Sequence, residues 1–208
     1  DLVNTPIPEW GRCLTDEELH AEMMADTFVG GSETSTNAIA FGVKLLIENP
    51  DVCSLPFGFG THPYFCVPLG GNAADACRVE LPVRQRWELV DMLATGRQVQ
   101  VDSPEACRAG LPFGQMAFDD AFTGLEFDGD WCRAGIADPG SGRRLVVEFD
   151  RAFRECVVYN PPHRQAVCIE PLTWCPNAFE LEQQGLDAGL RILQPGESLQ
   201  CRVTMRVE

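Results

Sequence analysis

Lysine is almost missing from this sequence: Lys44 is the only one among sixteen basic residues, against 31 acidic ones, for a formal net charge of -15. Such a surplus repels a phosphate backbone at long range, so nucleic acid is not an expected ligand. The preference for arginine over lysine reads as coding bias, not as a functional demand. Long apolar runs are also missing, and nothing approaches the ~18 consecutive residues of a membrane span, so no membrane partner is expected. The ten cysteines never fall in a C-x-x-C pair, which removes the usual spacing of a structural zinc site. No secretory leader is read at the Asp1 start, and the thiols are expected to be mostly buried and free in a reducing cytoplasm.

What is present divides into two textures. From Thr15 to Glu48 the sequence predicts one long helix. Thr15 and Glu18 form a capping box, Asp16 and Glu17 favour the positive end of the helix dipole, and Asn49-Pro50 ends it. Leu19, Met23, Ile39, Val43, Leu46 and Ile47 would form its apolar stripe. Its middle holds Gly30-Gly31-Ser32-Glu33-Thr34-Ser35, where two glycines thin the helix and a carboxyl and a hydroxyl follow directly.

From about Ser54 short apolar runs alternate with Pro, Gly and Asp. Val79 to Leu81, Trp87 to Val90, Arg144 to Phe149, Cys156 to Tyr159, Ala166 to Ile169 and Leu199 to Val207 read as strands. Turn signals lie between them, such as Asp128-Gly129, Asp138-Pro139-Gly140, Asn160-Pro161-Pro162 and Gln194-Pro195-Gly196. Many short strands spaced by turns predict a mainly β fold, an antiparallel sandwich over residues 54–208, preceded by a helical segment over residues 1–53.

The helical segment resembles the oxygen-activation helix of the haem-thiolate monooxygenases, the cytochrome P superfamily. That resemblance implies that small residues such as Gly31 make room over a haem while Glu33 and Thr34 relay protons to bound dioxygen. The rest of that family's machinery is not matched. Its F-x-x-G-x-x-x-C-x-G ligand turn is approached by Phe57 to Cys66, but Tyr64 stands where the thiolate belongs and Cys66 lies two residues too far. Its E-x-x-R element does not precede that stretch, and Glu105 to Arg108 carries the letters in the wrong place. Haem is therefore expected only under this alternative reading, as part of a monooxygenase fragment fused to the sandwich in a chimera.

Residues 56–208 resemble the aldose 1-epimerases, or mutarotases. The motifs are Pro56 to Phe65 (PFGFGTHPYF), Leu81-Pro82 with Arg86-Trp87, Phe118 to Phe122 (FDDAF), Cys168 to Phe179 (CIEPLTWCPNAF), and Gly189 to Glu197. The resemblance implies a galactose mutarotase-like sandwich acting on a free sugar, with no metal and no organic cofactor. Glu170 would be the base at the anomeric O1 hydroxyl and His62 the acid at the ring oxygen. An imidazole suits the second task because that side-chain type titrates near pH ~6.5. Asp119 would bind sugar hydroxyls, Tyr64, Phe65 and Trp174 would offer an apolar floor, and Thr173 and Asn177 would support the glutamate loop.

Each assignment has a plain structural competitor: a lone histidine is often a core residue, Asp119-Asp120 an Asx turn, and the aromatics ordinary core. The resemblance starts near Pro56, so the family's N-terminal half, with an arginine and a second histidine that hold sugar, has no counterpart; Arg12 and His20 stand in the wrong context. Weak or no turnover is the expectation for such a half-site. A carbohydrate-binding module without catalysis is the competing function.

Overall fold

The computed structural model describes residues 40–208. Strands dominate them: β1 (Ala40–Glu48), β2 (Leu55–Phe57), β3 (Tyr64–Cys66), β4 (Arg78–Glu80), β5 (Gln85–Val90), β6 (Leu93–Gln100), β7 (Leu111–Pro112), β8 (Asp119–Thr123), β9 (Trp131–Asp138), β10 (Arg143–Asp150), β11 (Glu155–Tyr159), β12 (Ala166–Leu172), β13 (Arg191–Leu193) and β14 (Ser198–Val207). Two short helices, α1 (Pro104–Ala109) and α2 (Ala178–Gln183), interrupt them. One six-stranded sheet runs β1-β14-β10-β9-β4-β7, a second runs β3-β12-β11-β8-β5-β6, and β13 pairs with β2 in a small ribbon.

The alternation of each strand explains the packing. In β14, Leu199, Cys201, Val203 and Met205 turn inward while Gln200 and Arg202 face out. The second sheet answers with Phe65, Phe122, Val158, Val167 and Ile169, all at most 2 % exposed and in one cluster with Val147 and Phe149 of the first, so Phe65, expected as part of a sugar floor, faces the core instead. Two inner faces meeting in one core make a β-sandwich. Each fully buried side chain of this size contributes roughly 1.5–3 kcal/mol of burial.

The turns use the residues foreseen for them. Asp138 Oδ1 accepts from the backbone N–H of Gly140 (2.8 Å) and of Ser141 (3.3 Å), closing the β9–β10 connection. Asn160 is buried; its Oδ1 accepts from Phe118 N–H at 2.6 Å and its Nδ2 donates to the Met116 carbonyl at 3.2 Å, which fixes where β8 begins.

The long helix expected to run to Glu48 is corrected here. Residues 40–48 are strand, paired antiparallel with β14 from Ala40 against Arg206 to Glu48 against Ser198. Val43, Leu45 and Ile47 are half-buried and Lys44, Leu46 and Glu48 exposed, a period of two that competes with the helical period in the same letters. Pairing along the whole of β14 decides between them, because tertiary contact overrides a weak helix preference. The sandwich therefore takes in residues ahead of position 54. Gly31, Glu33 and Thr34, with Arg12 and His20, lie outside the described residues. No described helix is long and apolar enough to cross a membrane.

Candidate active site

β12 carries Cys168 and Glu170 two residues apart, so both side chains leave the same face of the second sheet. β3 pairs beside it with Tyr64 opposite Cys168, and a further bridge joins Gly60 to Leu172. That register puts His62 across from Glu170. The imidazole Nδ1 lies 3.2 Å from Glu170 Oε1, with the histidine side chain 61 % exposed and the glutamate 9 %. The carboxylate is the floor of the site and the imidazole its rim. Tyr64 stacks on His62 with ring centroids 5.2 Å apart and planes 14° from parallel, which fixes the ring plane.

The same row continues across the sheet. Cys168 is opposite Tyr159, and Tyr159 is opposite Asp119 at the start of β8. Asp119 is exposed at the edge of this face, and its charge is felt by both Glu170 and Cys168. Asp120, on the opposite face of the strand, accepts from Arg86 Nη1 at 2.8 Å. The two neighbouring aspartates therefore face different tasks.

Burial pushes the Glu170 carboxyl up to about 7, against a hydrogen bond from the Cys168 thiol and with the help of the Asp119 charge. Burial, then the Glu170 charge, pushes the Cys168 thiol up to about 12. A carboxyl balanced near neutrality can take and return a proton at working pH.

The loop that presents His62 is held by its neighbours. Thr173, fully buried, exchanges hydrogen bonds with Phe59: its Oγ1 accepts from Phe59 N–H at 2.8 Å, and its own N–H donates to the Phe59 carbonyl at 2.8 Å. Thr61 N–H donates to the Pro171 carbonyl at 3.1 Å. Trp174 lies flat against Gly58, where a Cβ would fall 1.9 Å from the indole. Only glycine permits that approach. Trp174 also meets Phe179 edge-on at 5.4 Å and packs on a second, smaller cluster with Trp87, Ala121 and Leu181. Its observed contacts are thus those of a buttress under the 57–61 loop. Asn177, with φ of 73°, donates from Nδ2 to the Ala94 carbonyl at 3.2 Å and ties the glutamate loop to β6. His163 sits in the turn before β12, its Nδ1 accepting from Gln165 N–H at 3.0 Å.

Sequence reasoning gave no task to Cys168 or Tyr159, although the i, i+2 spacing of Cys168 and Glu170 on a strand was a readable sign of a shared face. It also missed Glu155, which lies on that face toward α2. Glu155 is 2 % exposed, and its Oε2 accepts from Trp87 Nε1 at 3.0 Å. Burial raises its carboxyl from an ordinary 4.5 to about 7, against hydrogen bonds from Thr123 and Trp87. Between those values the folded chain holds the proton more tightly than the unfolded one. The associated stability is present below about pH 4.5 and is lost as pH rises through about 7. Glu155→Gln keeps an acceptor for Trp87 without the charge. We expect it to exceed the parent at about pH 8 by up to about 3 kcal/mol, a gain that vanishes near pH 4. Urea unfolding at the two pH values checks this, and an equal or lower midpoint at the higher pH contradicts it.

A β-sandwich with a neutral-range carboxyl on one strand facing an imidazole on the neighbouring loop defines an acid–base site on a sheet face. The aldose 1-epimerase family model matches residues 36–206, and the chain belongs to that family. Among solved structures, a galactose mutarotase-like protein from Clostridium acetobutylicum superposes with a TM-score of 0.71 at 22% identity, covering 80% of this chain and 52% of its own. A galactose mutarotase-like protein from Lactobacillus casei gives 0.62 at 20% identity, over 80% of this chain and 58% of its own. A galactose mutarotase related enzyme from Lactobacillus acidophilus gives 0.62 at 18% identity, over 81% and 57%. The chain thus spans little more than half the length of these proteins. At such identities the likeness establishes the fold, and no comparison supports a haem-thiolate segment.

Proposed function

We propose that this chain is an aldose 1-epimerase-type isomerase that interconverts the α and β anomers of a free hexose, with Glu170 as base and His62 as acid. The observation that carries the reading is the facing pair, Glu170 Oε1 and His62 Nδ1 at 3.2 Å, one buried and one at the rim. Nδ1 faces the carboxylate, so Nε2 on the far side of the ring is the nitrogen left to meet sugar. Glu170 takes the proton of the O1 hydroxyl while His62 gives one to the ring oxygen. The C1–O5 bond breaks, the aldehyde turns about C1–C2, and closure returns both protons. Asp119, at the end of the same row, is placed to accept from sugar hydroxyls, and the Tyr64 ring offers an apolar face to C–H groups.

The base works only when ionised. The acceleration should therefore fall away as pH drops below the Glu170 value of about 7, and because the acid works only when protonated, the profile should turn down again toward alkaline pH. Polarimetry of fresh α-glucose or α-galactose, at high protein concentration to detect a slow catalyst, gives this profile. An acceleration that does not decline as pH drops below about 7 contradicts the assignment.

The competing reading, a carbohydrate-binding module, is favoured by the exposure of Asp119 and Tyr64 beside the pair, which lets them hold a sugar without any proton transfer. Saturable sugar binding by calorimetry with no acceleration at any pH would select it.

A further inference from the structure

We infer that Cys168, Glu170 and His62 form a site for a borderline-soft divalent cation, zinc above all. Their three ligand atoms, one sulfur, one oxygen and one nitrogen, all lie within 4.8 Å of one another. The N to O separation of 3.2 Å is already that of a coordinated pair. Metal–ligand bonds of about 2.0 Å in tetrahedral geometry place two ligand atoms about 3.3 Å apart. The sulfur lies within 4.8 Å of both, against the ~3.5 Å of a zinc-bound sulfur and its neighbouring ligand, so closing the site asks for a shift of about 1 Å or less.

The backbone supplies the arrangement without strain. Cys168 and Glu170 are neighbours on one face of β12, and the β3 register sets His62 opposite Glu170. Tyr64, stacked on the imidazole, holds the ring plane in which its nitrogen lone pair points. The fourth position faces outward, because the histidine side chain is 61 % exposed, so water or a sugar oxygen completes the coordination. A thiolate, an imidazole and one carboxylate suit zinc better than magnesium or calcium, which take sets of oxygens. The spacing motif for zinc misses this site because its ligands come from a loop and a strand far apart in sequence and include only one cysteine.

An ion here engages the lone pairs that would move protons, so zinc closes the site to sugar chemistry and a chelator reopens it. That consequence rests on the acid–base reading; the ion site does not, and is read without any activity. The experiment is titration of the reduced, metal-free full chain with cobalt(II). The expected result is one equivalent bound in tetrahedral form with a thiolate-to-cobalt charge-transfer band, bleached by one equivalent of zinc. Cys168→Ser should abolish the band and weaken cobalt binding by more than ~10-fold. His62→Gln, a change at an exposed ring that the fold tolerates, should weaken binding by more than ~10-fold too, since loss of a ligand costs at least as much as loss of a supporting residue. A double Cys53→Ser, Cys66→Ser variant, removing two exposed thiols, should bind as the parent does. The inference is overturned by absence of the band, by its survival in Cys168→Ser, by unchanged affinity in His62→Gln, or by its loss in the exposed-thiol variant.

Discussion

Glu170→Gln should lower the rate constant for anomer interconversion by ~10²–10⁴ while leaving sugar affinity nearly unchanged. The amide has the same shape and still fills the floor of the site, but it cannot take the O1 proton. Loss confined to kcat is the mark of an interaction made in the transition state alone. The fold should not suffer. Burial is the main cause holding the Glu170 carboxyl near 7, so an uncharged replacement relieves a desolvation cost at alkaline pH. A variant that is inactive yet at least as stable as the parent therefore separates a chemical role from a structural one. An unchanged rate would remove Glu170 from the mechanism.

Phe153→Ala should cost ~3–5 kcal/mol of stability, and about 6–20 °C in Tm for a domain of this size. Phe153 is 1 % exposed in the turn between β10 and β11. It meets Phe149 edge-on at 5.9 Å and Phe59 at 6.1 Å, so it links the centre of the core to the loop that ends in His62. Truncation opens a cavity beneath that loop as well as removing burial. We expect KM for sugar to rise in Phe153→Ala, and less so in Phe153→Leu, which refills most of the volume. Thermal unfolding followed by circular dichroism checks the first part and polarimetry the second. A loss under ~1 kcal/mol would show that the core collapses around the gap.

The strands with clear period-two alternation were legible from sequence: the runs around Val79, Trp87, Arg144, Cys156, Ala166 and Leu199 fall on observed strands, with Leu81 alone just past the end of β4. β6 was not, because Thr95, Gly96, Arg97 and Gln98 give it little apolar signal and it stands at a sheet edge. β1 was misread since Val43, Leu46 and Ile47 satisfy a helical stripe as well as Val43, Leu45 and Ile47 satisfy a strand. Only the partner, β14, distinguishes them, and pairing is a long-range fact that local letters do not carry.

At the site, motif resemblance supplied His62, Tyr64, Asp119 and Glu170, and the structure places them along one face. Composition alone could not have brought His62 to Glu170 across so much intervening chain. Trp174 was expected as a sugar floor, whereas its visible contacts run to Gly58 and Phe179. Glu155 was passed over because a glutamate at a strand start looks like a solvated end; its burial depends on Trp87 and α2 arriving from elsewhere.

The facing of His62 and Glu170 has the character of a parity condition. Their separation is set by the repeat of the peptide backbone between two antiparallel segments, not by the reach of mobile loops. Side chains around them can be exchanged with the spacing intact. A single residue inserted between Gly60 and Tyr64 would instead turn the imidazole to the other side of the sheet and leave the glutamate alone, however perfectly every motif letter survived.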